Sequence, residues 1–206
     1  MPRMLQRHDG NERANHWFVA LMFFLAGLSG LALFHPSLFF LTNLFGGGSW
    51  GRILHPFLGA LMFLSFLGLT MRVVKDNHFT AADTQWKQRM GEMLRGKRGA
   101  MPSVGKYNWG QKMVFWLFLW SLLVLAVTGV MFWRPWFDGY FPIEVQRAAV
   151  LLHAIAAVVL IATAIVHIYA AIWVKGTMRA MTRGTVSESW AKANHTLWYR
   201  QMTGGK

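Results

Sequence analysis

The side chains best suited to chemistry in this sequence are four histidines in or beside long apolar stretches: His16, His55, His153 and His167. Ionisable side chains are costly inside a membrane, so a histidine there indicates a functional site. His153 and His167 are 14 residues apart, which is close to four helical turns. On one helix they would face nearly the same way, about 21 Å apart along the axis. A single helix therefore offers two ligand positions at different depths.

His16 lies toward the same side of the membrane as His167, and His55 lies toward the same side as His153. The sequence therefore predicts the pairs His16 with His167 and His55 with His153. Haem iron takes two axial ligands on opposite faces of a flat ring, and imidazole supplies them. The pairs therefore predict two b-type haems held between the helices of a bundle. Zinc or copper fits less well, because four ligands would have to converge at one point.

The remaining histidines are weaker candidates. His35 is the chief competitor for an outer ligand, but it precedes Pro36 at the end of an apolar stretch, where the backbone turns away. His8, His78 and His195 lie in polar segments, and we expect their side chains to be solvated. The alternative to haem binding is that all these histidines are interfacial and bind nothing, which would make the chain a haem-free assembly anchor.

Composition places these histidines in a membrane protein. The 206 residues are 54% hydrophobic and only 14% charged, with a formal charge of +13 and a mean hydropathy of +0.31. Nucleic-acid binding is set aside despite the charge, because a soluble binder would not carry apolar runs of this length. The absence of cysteine excludes disulfides, iron–sulfur clusters and covalently attached haem within this chain.

The predicted fold class is all-α, an integral membrane four-helix bundle that forms a single membrane domain over residues 1–206. A membrane span needs about 20 apolar residues. The predicted spans cover residues 16–34, 53–71, 113–133 and 148–174, with a loop over 72–112 and a tail over 175–206. The apolar segment 37–44 is too short to span and is predicted to lie at the membrane interface.

Basic residues predict the orientation. Of the 21 lysines and arginines, 18 lie before the first span, in the 72–112 loop or in the tail. The other side of the membrane receives only Arg52, Arg134 and Arg147. By the positive-inside rule, both termini and the long loop are cytoplasmic. Most of the loop's charge is explained by this topology and by contact with anionic lipid head groups.

Four sequence features carry a resemblance to a known family. They are Asn15-His16-Trp17, His55-Pro56, the Gly105–Lys112 segment GKYNWGQK, and the pair His153 and His167. With these features the chain resembles the gamma subunit, a di-haem cytochrome b, of respiratory formate dehydrogenase, from about Arg13 to the end of the fourth span. The histidines alone also suit the cytochrome b of a nickel–iron hydrogenase or of a thiosulfate or polysulfide reductase.

The resemblance implies that His16, His55, His153 and His167 are the axial ligands of two b haems. It also implies a site for menaquinone or ubiquinone near the cytoplasmic face, with Asn108, Gly110 and Gln111 at the head group and His167 adjacent. Asn108 has a second interpretation as the cap of the third span, and the two roles are compatible.

The resemblance further implies the partners. Electrons would come from an iron–sulfur beta subunit on the outer face, and formate would be oxidised by a separate alpha subunit that contains molybdenum or tungsten. The implied location is the bacterial inner membrane, where the chain would be a multi-pass subunit of a heterotrimer that can assemble further. This chain would then be the quinone-reducing subunit of the complex and would not itself oxidise formate.

Overall fold

The computed structural model describes residues 3–96, 101–134 and 136–204 of the chain. Within them four helices are long and apolar enough to cross a membrane. After a short strand β1 (Met4–Gln6), these are α1 (Gly10–Phe34), α2 (Gly48–Val73), α5 (Trp109–Met131) and α6 (Ile143–Trp173). The prediction of an all-α membrane bundle is confirmed.

The long helices begin four to six residues before the predicted spans. The prediction followed uncharged runs, whereas a helix needs only satisfied backbone hydrogen bonds and continues through polar turns outside the hydrocarbon. Glu12 in the first turn of α1 and Glu144 in the first turn of α6 illustrate this, because each places an acidic side chain at the positive end of a helix dipole.

Shorter elements connect the spans. They are 3-10 helices at Pro36–Phe45, Val74–Asn77 and Asp138–Tyr140, and the elements α3 (Ala81–Gln88), α4 (Met90–Leu94), α7 (Thr177–Arg183), β2 (Thr185–Ser187), α8 (Glu188–Asn194) and α9 (Thr196–Thr203). The predicted interfacial segment 37–44 corresponds to the first 3-10 helix. His35 caps that helix, since its Nδ1 accepts a hydrogen bond from the Ser37 backbone N–H at 3.2 Å.

The chain divides into two compact units. The bundle unit comprises Ala14–Thr70 and Leu117–Ile165, and it holds the apolar parts of the long helices. Its core joins side chains from all four of them, and the buried members are Met22, Ala26, Met62, Phe66, Leu122 and Leu160. Dispersion contacts of this kind hold helices together in lipid, where no hydrophobic effect acts between them.

The terminal unit comprises Met1–Arg13, Met71–Trp116 and Val166–Lys206. Here β1 pairs antiparallel with β2, so that Leu5 lies opposite Val186. The core is rich in tryptophan, and its buried members are Leu5, Ala180, Val186, Trp190, Ala191 and Trp198. Gly184, just before β2, has φ of +79°, and a Cβ there would lie 2.6 Å from the His8 carbonyl oxygen, so only glycine fits.

The prediction that His8 and His195 are solvated is wrong. Their exposed fractions are 5% and 1%, because the segments flanking them fold together into the terminal unit. His8 Nδ1 lies 3.0 Å from a Glu12 carboxylate oxygen, and the His195 ring lies against Trp190 at a centroid distance of 5.0 Å. His78 is exposed, as predicted.

Candidate functional site

The bundle unit brings His55 of α2 and His153 of α6 together. Their ring centroids are 6.2 Å apart, with the ring planes at 70°. Metal–imidazole bonds are about 2 Å long and a ring centroid lies about 1 Å behind its nitrogen, so two imidazoles on opposite sides of one ion place their centroids roughly 6 Å apart. The observed spacing suits two axial ligands of a single iron.

Hydroxyl groups orient both rings. Ser29 Oγ donates to the Ala26 carbonyl at 3.0 Å and lies 3.0 Å from His55 Nδ1. Thr128 Oγ1 donates to the Val124 carbonyl at 2.6 Å and lies 3.0 Å from His153 Nδ1. Each hydroxyl hydrogen is thus already directed to a carbonyl, so the imidazole Nδ1–H donates to the hydroxyl oxygen and Nε2 keeps its lone pair for a metal.

Glycines stand beside the same two rings. A Cβ at Gly30 would lie 3.0 Å from His55 Cε1, and a Cβ at Gly129 would lie 3.3 Å from His153 Cε1. Phe132 meets His153 edge-on at 5.3 Å. The small residues, the fixed tautomers and the ring spacing together fit a haem that His55 and His153 would hold.

His35 has a different environment from this pair. Its side chain is exposed and its Nδ1 caps the first 3-10 helix, as described above. This capping bond orients the His35 ring toward the start of the 3-10 helix. It supports the preference for His55 over His35 as the outer ligand.

His16, the predicted ligand on α1, is partly buried in the bundle unit and meets the Trp17 ring edge-on at 5.3 Å. Its neighbour Asn15 joins α1 to α2, because Asn15 Oδ1 accepts a hydrogen bond from Ser65 Oγ at 2.7 Å. A Cβ at Gly68 would lie 3.4 Å from Asn15 Nδ2, so the glycine permits this close approach. The Asn15-His16-Trp17 motif therefore fixes the position of His16 relative to α2.

His167, the predicted partner of His16, lies on α6 in the segment that belongs to the terminal unit, and it is exposed. The helix continues past it to a stacked pair, Tyr169 and Trp173, whose rings are 6.3 Å apart. The pairing of His16 with His167 stays a prediction from the sequence.

The predicted quinone residues lie at the start of α5 in the terminal unit. Gln111 N–H donates to Asn108 Oδ1 and Asn108 N–H donates to Gln111 Oε1, both at 3.0 Å. This reciprocal arrangement is a capping box, so the predicted capping role of Asn108 is confirmed. Because the cap uses both amide oxygens, the two side-chain NH₂ groups are the donors available to a ligand.

Aromatic rings surround the same helix start. Trp86 is 5% exposed and stacks on Trp109 at 5.9 Å, with an angle of 30° between the planes. A Cβ at Gly110 would lie 3.4 Å from Trp86 Cη2, so the glycine brings the α5 backbone against this ring. Flat aromatic faces next to amide donors are the features of a site for a planar carbonyl compound.

A buried ion pair fixes the next residue of the motif. Lys112 Nζ lies 2.7 Å from Asp83 Oδ2 and donates to the His78 carbonyl at 2.8 Å, and both charged side chains are nearly inaccessible. Asp83 Oδ2 also accepts from the Thr80 N–H at 2.7 Å. Lys112 is therefore a structural cation, and its charge is not explained by the topology and lipid contact expected for most of this loop.

Sequence reasoning did not single out Ser29, Thr128 or Gly129, the residues next to the histidine rings. A usable signal was present, because hydroxyl side chains are uncommon in otherwise apolar spans and usually bond within their own helix. What the sequence could not supply is which helix each hydroxyl faces. That depends on the rotation of α1 and α5 about their axes.

Residues 7–184 match the prokaryotic cytochrome b561 family. Over 200 residues the chain is 44% identical to the cytochrome b556(Fdn) subunit of nitrate-inducible formate dehydrogenase from Escherichia coli. The alignment covers 97% of this chain and 92% of the relative.

Two further relatives have similar names. The cytochrome b556(fdo) subunit of formate dehydrogenase from Escherichia coli is 43% identical over 196 residues, covering 95% of this chain and 92% of the relative. The formate dehydrogenase cytochrome b556 subunit of Haemophilus influenzae is 40% identical over 195 residues, covering 95% and 82%. The resemblance predicted from the motifs is confirmed.

Proposed function

The chain belongs to the prokaryotic cytochrome b561 family, and from this premise we propose that it is the membrane cytochrome b of a respiratory formate dehydrogenase. Two bound b haems would supply one-electron transfer across the membrane, from an iron–sulfur partner on the periplasmic side to quinone. The names of the three relatives, which align over nearly their full length, favour formate dehydrogenase over a hydrogenase or a thiosulfate or polysulfide reductase.

The observation that carries the proposal is the outer histidine pair. His55 and His153 hold one haem, and Ser29 and Thr128 keep each imidazole in the tautomer that presents Nε2 to iron. Gly30 and Gly129 leave room beside the rings. A histidine that merely faced the interface would not need a hydroxyl partner and a glycine at the same time.

The second haem is assigned to His16 and His167. Support comes from the depth argument, since His167 follows His153 by about four turns on one helix, and from the Asn15 contact that fixes His16 against α2. The two ligand levels are what an electron path across about 30 Å of hydrocarbon requires.

Quinone is assigned to the start of α5. The side-chain NH₂ groups of Asn108 and Gln111 donate to the quinone carbonyls, while Gly110 brings the backbone close to the head group. Protons for quinol formation come from the cytoplasm, to which the positive-inside rule assigns this basic part of the chain.

The same proposal includes the partners and the location. The partners are an iron–sulfur beta subunit and an alpha subunit with molybdenum or tungsten, which oxidises formate. The complex lies in the bacterial inner membrane with both termini of this chain in the cytoplasm, and the heterotrimers can assemble further. The relatives are bacterial, and four apolar helices are present in the described part of the chain.

The test is a reduced-minus-oxidised spectrum with haem quantification on the purified membrane complex. Addition of formate is expected to reduce two b haems per chain. His153→Ala is expected to remove the outer haem and His167→Ala the inner one, whereas the control His35→Ala keeps both. Mass spectrometry of the same preparation identifies the catalytic subunit.

Two results would contradict the proposal. Absence of haem would favour a haem-free assembly anchor, and an equal haem content in all three variants would rule out His153 and His167 as haem ligands. Two haems that are reduced by hydrogen, and not by formate, in a complex with a nickel–iron subunit would favour a hydrogenase cytochrome b. In either case the four-helix fold would stand.

A further inference from the structure

Arg7 lies where three distant parts of the chain meet in the terminal unit. It directly follows β1, and its backbone N–H donates to the Gly184 carbonyl at 2.8 Å, just before β2. Its side chain is only 6% exposed. One guanidinium NH₂ donates to the Lys106 carbonyl, and the same nitrogen lies 3.4 Å from His195 Nε2. The side chain thus reaches residues about 100 and 190 positions away in sequence.

The environment of this guanidinium is aromatic. Its central carbon lies 4.9 Å from the ring centre of Trp198, 5.0 Å from that of Trp190 and 5.7 Å from that of Tyr107. Cation–π attraction of this kind strengthens when the groups are desolvated. Within the described residues Arg7 has no ion pair, and burial lowers the pKa of Arg7 to about 10, which still leaves it charged at neutral pH.

His195 completes the arrangement as a neutral ring. Burial lowers the pKa of His195 to about 3, with the charge of Arg7 acting in the same direction. His195 Nδ1–H therefore donates to the Gly105 carbonyl at 2.9 Å, while its Nε2 faces the Arg7 guanidinium. Burial also raises the pKa of the Tyr107 phenol, so that ring is neutral too.

These contacts hold four consecutive residues immediately before the start of α5. The Val104 carbonyl accepts from the Leu197 N–H at 3.1 Å, and the Gly105 carbonyl accepts from His195. The Lys106 carbonyl accepts from Arg7, and the Tyr107 ring lies against the same guanidinium. The next residue is Asn108, which caps α5. Each residue of the segment Val104–Tyr107 is therefore held by a contact with a distant part of the chain.

We propose that Arg7 is a positioning residue for the quinone site, because it holds the backbone that leads into Asn108 and so sets where the Asn108 and Gln111 amides stand. This rests on the proposed quinone site at the start of α5. The residue that follows the N-terminal strand would then influence quinone binding without touching quinone. Small displacements of a binding group are enough to reduce activity strongly, since a shift of about 1 Å can cost about a hundredfold.

The experiment uses the intact membrane complex with Arg7→Met, Arg7→Lys and the control Arg3→Met. Arg3 is exposed and lies at the other end of β1. Methionine keeps apolar contact with the rings but cannot donate to the Lys106 carbonyl. Lysine keeps one charged donor without the flat guanidinium. The readouts are haem content, haem reduction by formate, and kcat and KM for a soluble quinone analogue.

Arg7→Met is expected to raise the KM for quinone about tenfold or more, with formate-driven haem reduction intact and kcat within about twofold. Arg7→Lys is expected to restore part of the lost affinity, and Arg3→Met to behave as the parent. An unchanged KM in Arg7→Met overturns the inference. Loss of haem or of the complex in both Arg7 variants also overturns it, since Arg7 would then support the fold alone. Failure of formate to reduce the haems in the parent complex would instead count against the proposed function.

Discussion

The two units of the chain satisfy their buried polar groups in opposite ways. In the bundle unit, buried hydroxyls donate within their own helix, as Ser29 does to Ala26, Thr128 to Val124 and Thr163 to Val159. In the terminal unit, two buried cations reach across the chain, Arg7 to Lys106 and Lys112 to Asp83, while the buried His8 and Asn77 bond within four residues. The terminal unit buries full charges.

The difference follows from the surroundings each unit is expected to have. A hydrocarbon layer offers no hydrogen bonds, so the polar groups of an apolar helix are satisfied within that helix. Polar side chains that bond to another helix there indicate functional sites. Here they are the hydroxyl–imidazole pairs at His55 and His153 and the Ser65–Asn15 bond beside His16. A unit in contact with water can assemble long-range polar contacts, because its unfolded segments are solvated until they meet.

The largest expected effect comes from the terminal unit's ion pair. Lys112→Met leaves the Asp83 carboxylate buried without its cation, which costs about 3 to 5 kcal/mol. The double variant with Asp83→Asn is expected to recover much of this, since no lone charge remains. The control Lys106→Met breaks a more exposed pair with Asp76 and should cost less than about 1 kcal/mol. Apparent melting temperatures of the purified complex would check the order, and equal shifts for both lysines would contradict it.

The second largest effect is expected in the bundle unit, at the hydroxyl beside His153. Thr128→Val removes the acceptor of the Nδ1–H, and loss of such a partner typically lowers metal affinity by about 10- to 100-fold. Thr128→Ser should restore retention of the outer haem. The control is Thr163→Val, which removes a buried hydroxyl that bonds its own helix at Val159. Transfer of haem to an apo-globin acceptor measures this, and similar haem loss in both valine variants would argue against a ligand role for His153.

The terminal unit should lose stability in mild acid. Burial and the nearby Arg7 charge lower the pKa of His195 to about 3 in the folded chain, against about 6.5 when unfolded. Below pH 6.5 His195 binds a proton in the unfolded state but not in the folded state. The free energy of unfolding therefore falls as the pH is lowered from 6.5 to about 3. At pH 5 the loss is about 2 kcal/mol.

Denaturation of the complex between pH 7.5 and 5 would measure this slope, with the loss of terminal-unit tryptophan burial as the signal. His195→Asn removes the titrating ring and should flatten the slope, although His8, whose pKa burial also lowers, contributes in the same direction. The matched control is the same substitution at an exposed histidine of this unit, His78→Asn. A slope that survives in His195→Asn would place the titration elsewhere.

The smallest expected effect concerns two glycines of α1. Alanine is favoured over glycine within a helix by about 1 kcal/mol, and Gly27→Ala meets nothing within 4 Å. Gly30→Ala would place its Cβ 3.0 Å from His55 Cε1, so the gain should be offset and the outer haem band should shift. Thermal unfolding and the haem spectrum of the two variants would test this, and identical behaviour would mean that the His55 ring can move away freely.

Sequence reasoning succeeded where a local pattern suffices. Runs of apolar residues predicted the four spans, and the position of Asn108 at the start of the third span was enough to predict a helix cap, which the structure completes with Gln111. It failed for His8 and His195, whose polar neighbours suggested solvation. Burial of His195 depends on Gly105, 90 positions away, and neither hydropathy nor periodicity carries information over such a separation.

The sequence by itself determined the class of molecule, the number of apolar helices and the histidines that carry the proposed chemistry, because membrane length and the cost of buried charge act on each segment separately. Only the tertiary structure decided which hydroxyl lies beside which imidazole. It also placed the Arg7 guanidinium against the rings of Tyr107, Trp190 and Trp198. Those contacts depend on helix rotation and on the pairing of β1 with β2. Both are set by many weak contacts acting together, and no short stretch of sequence specifies them.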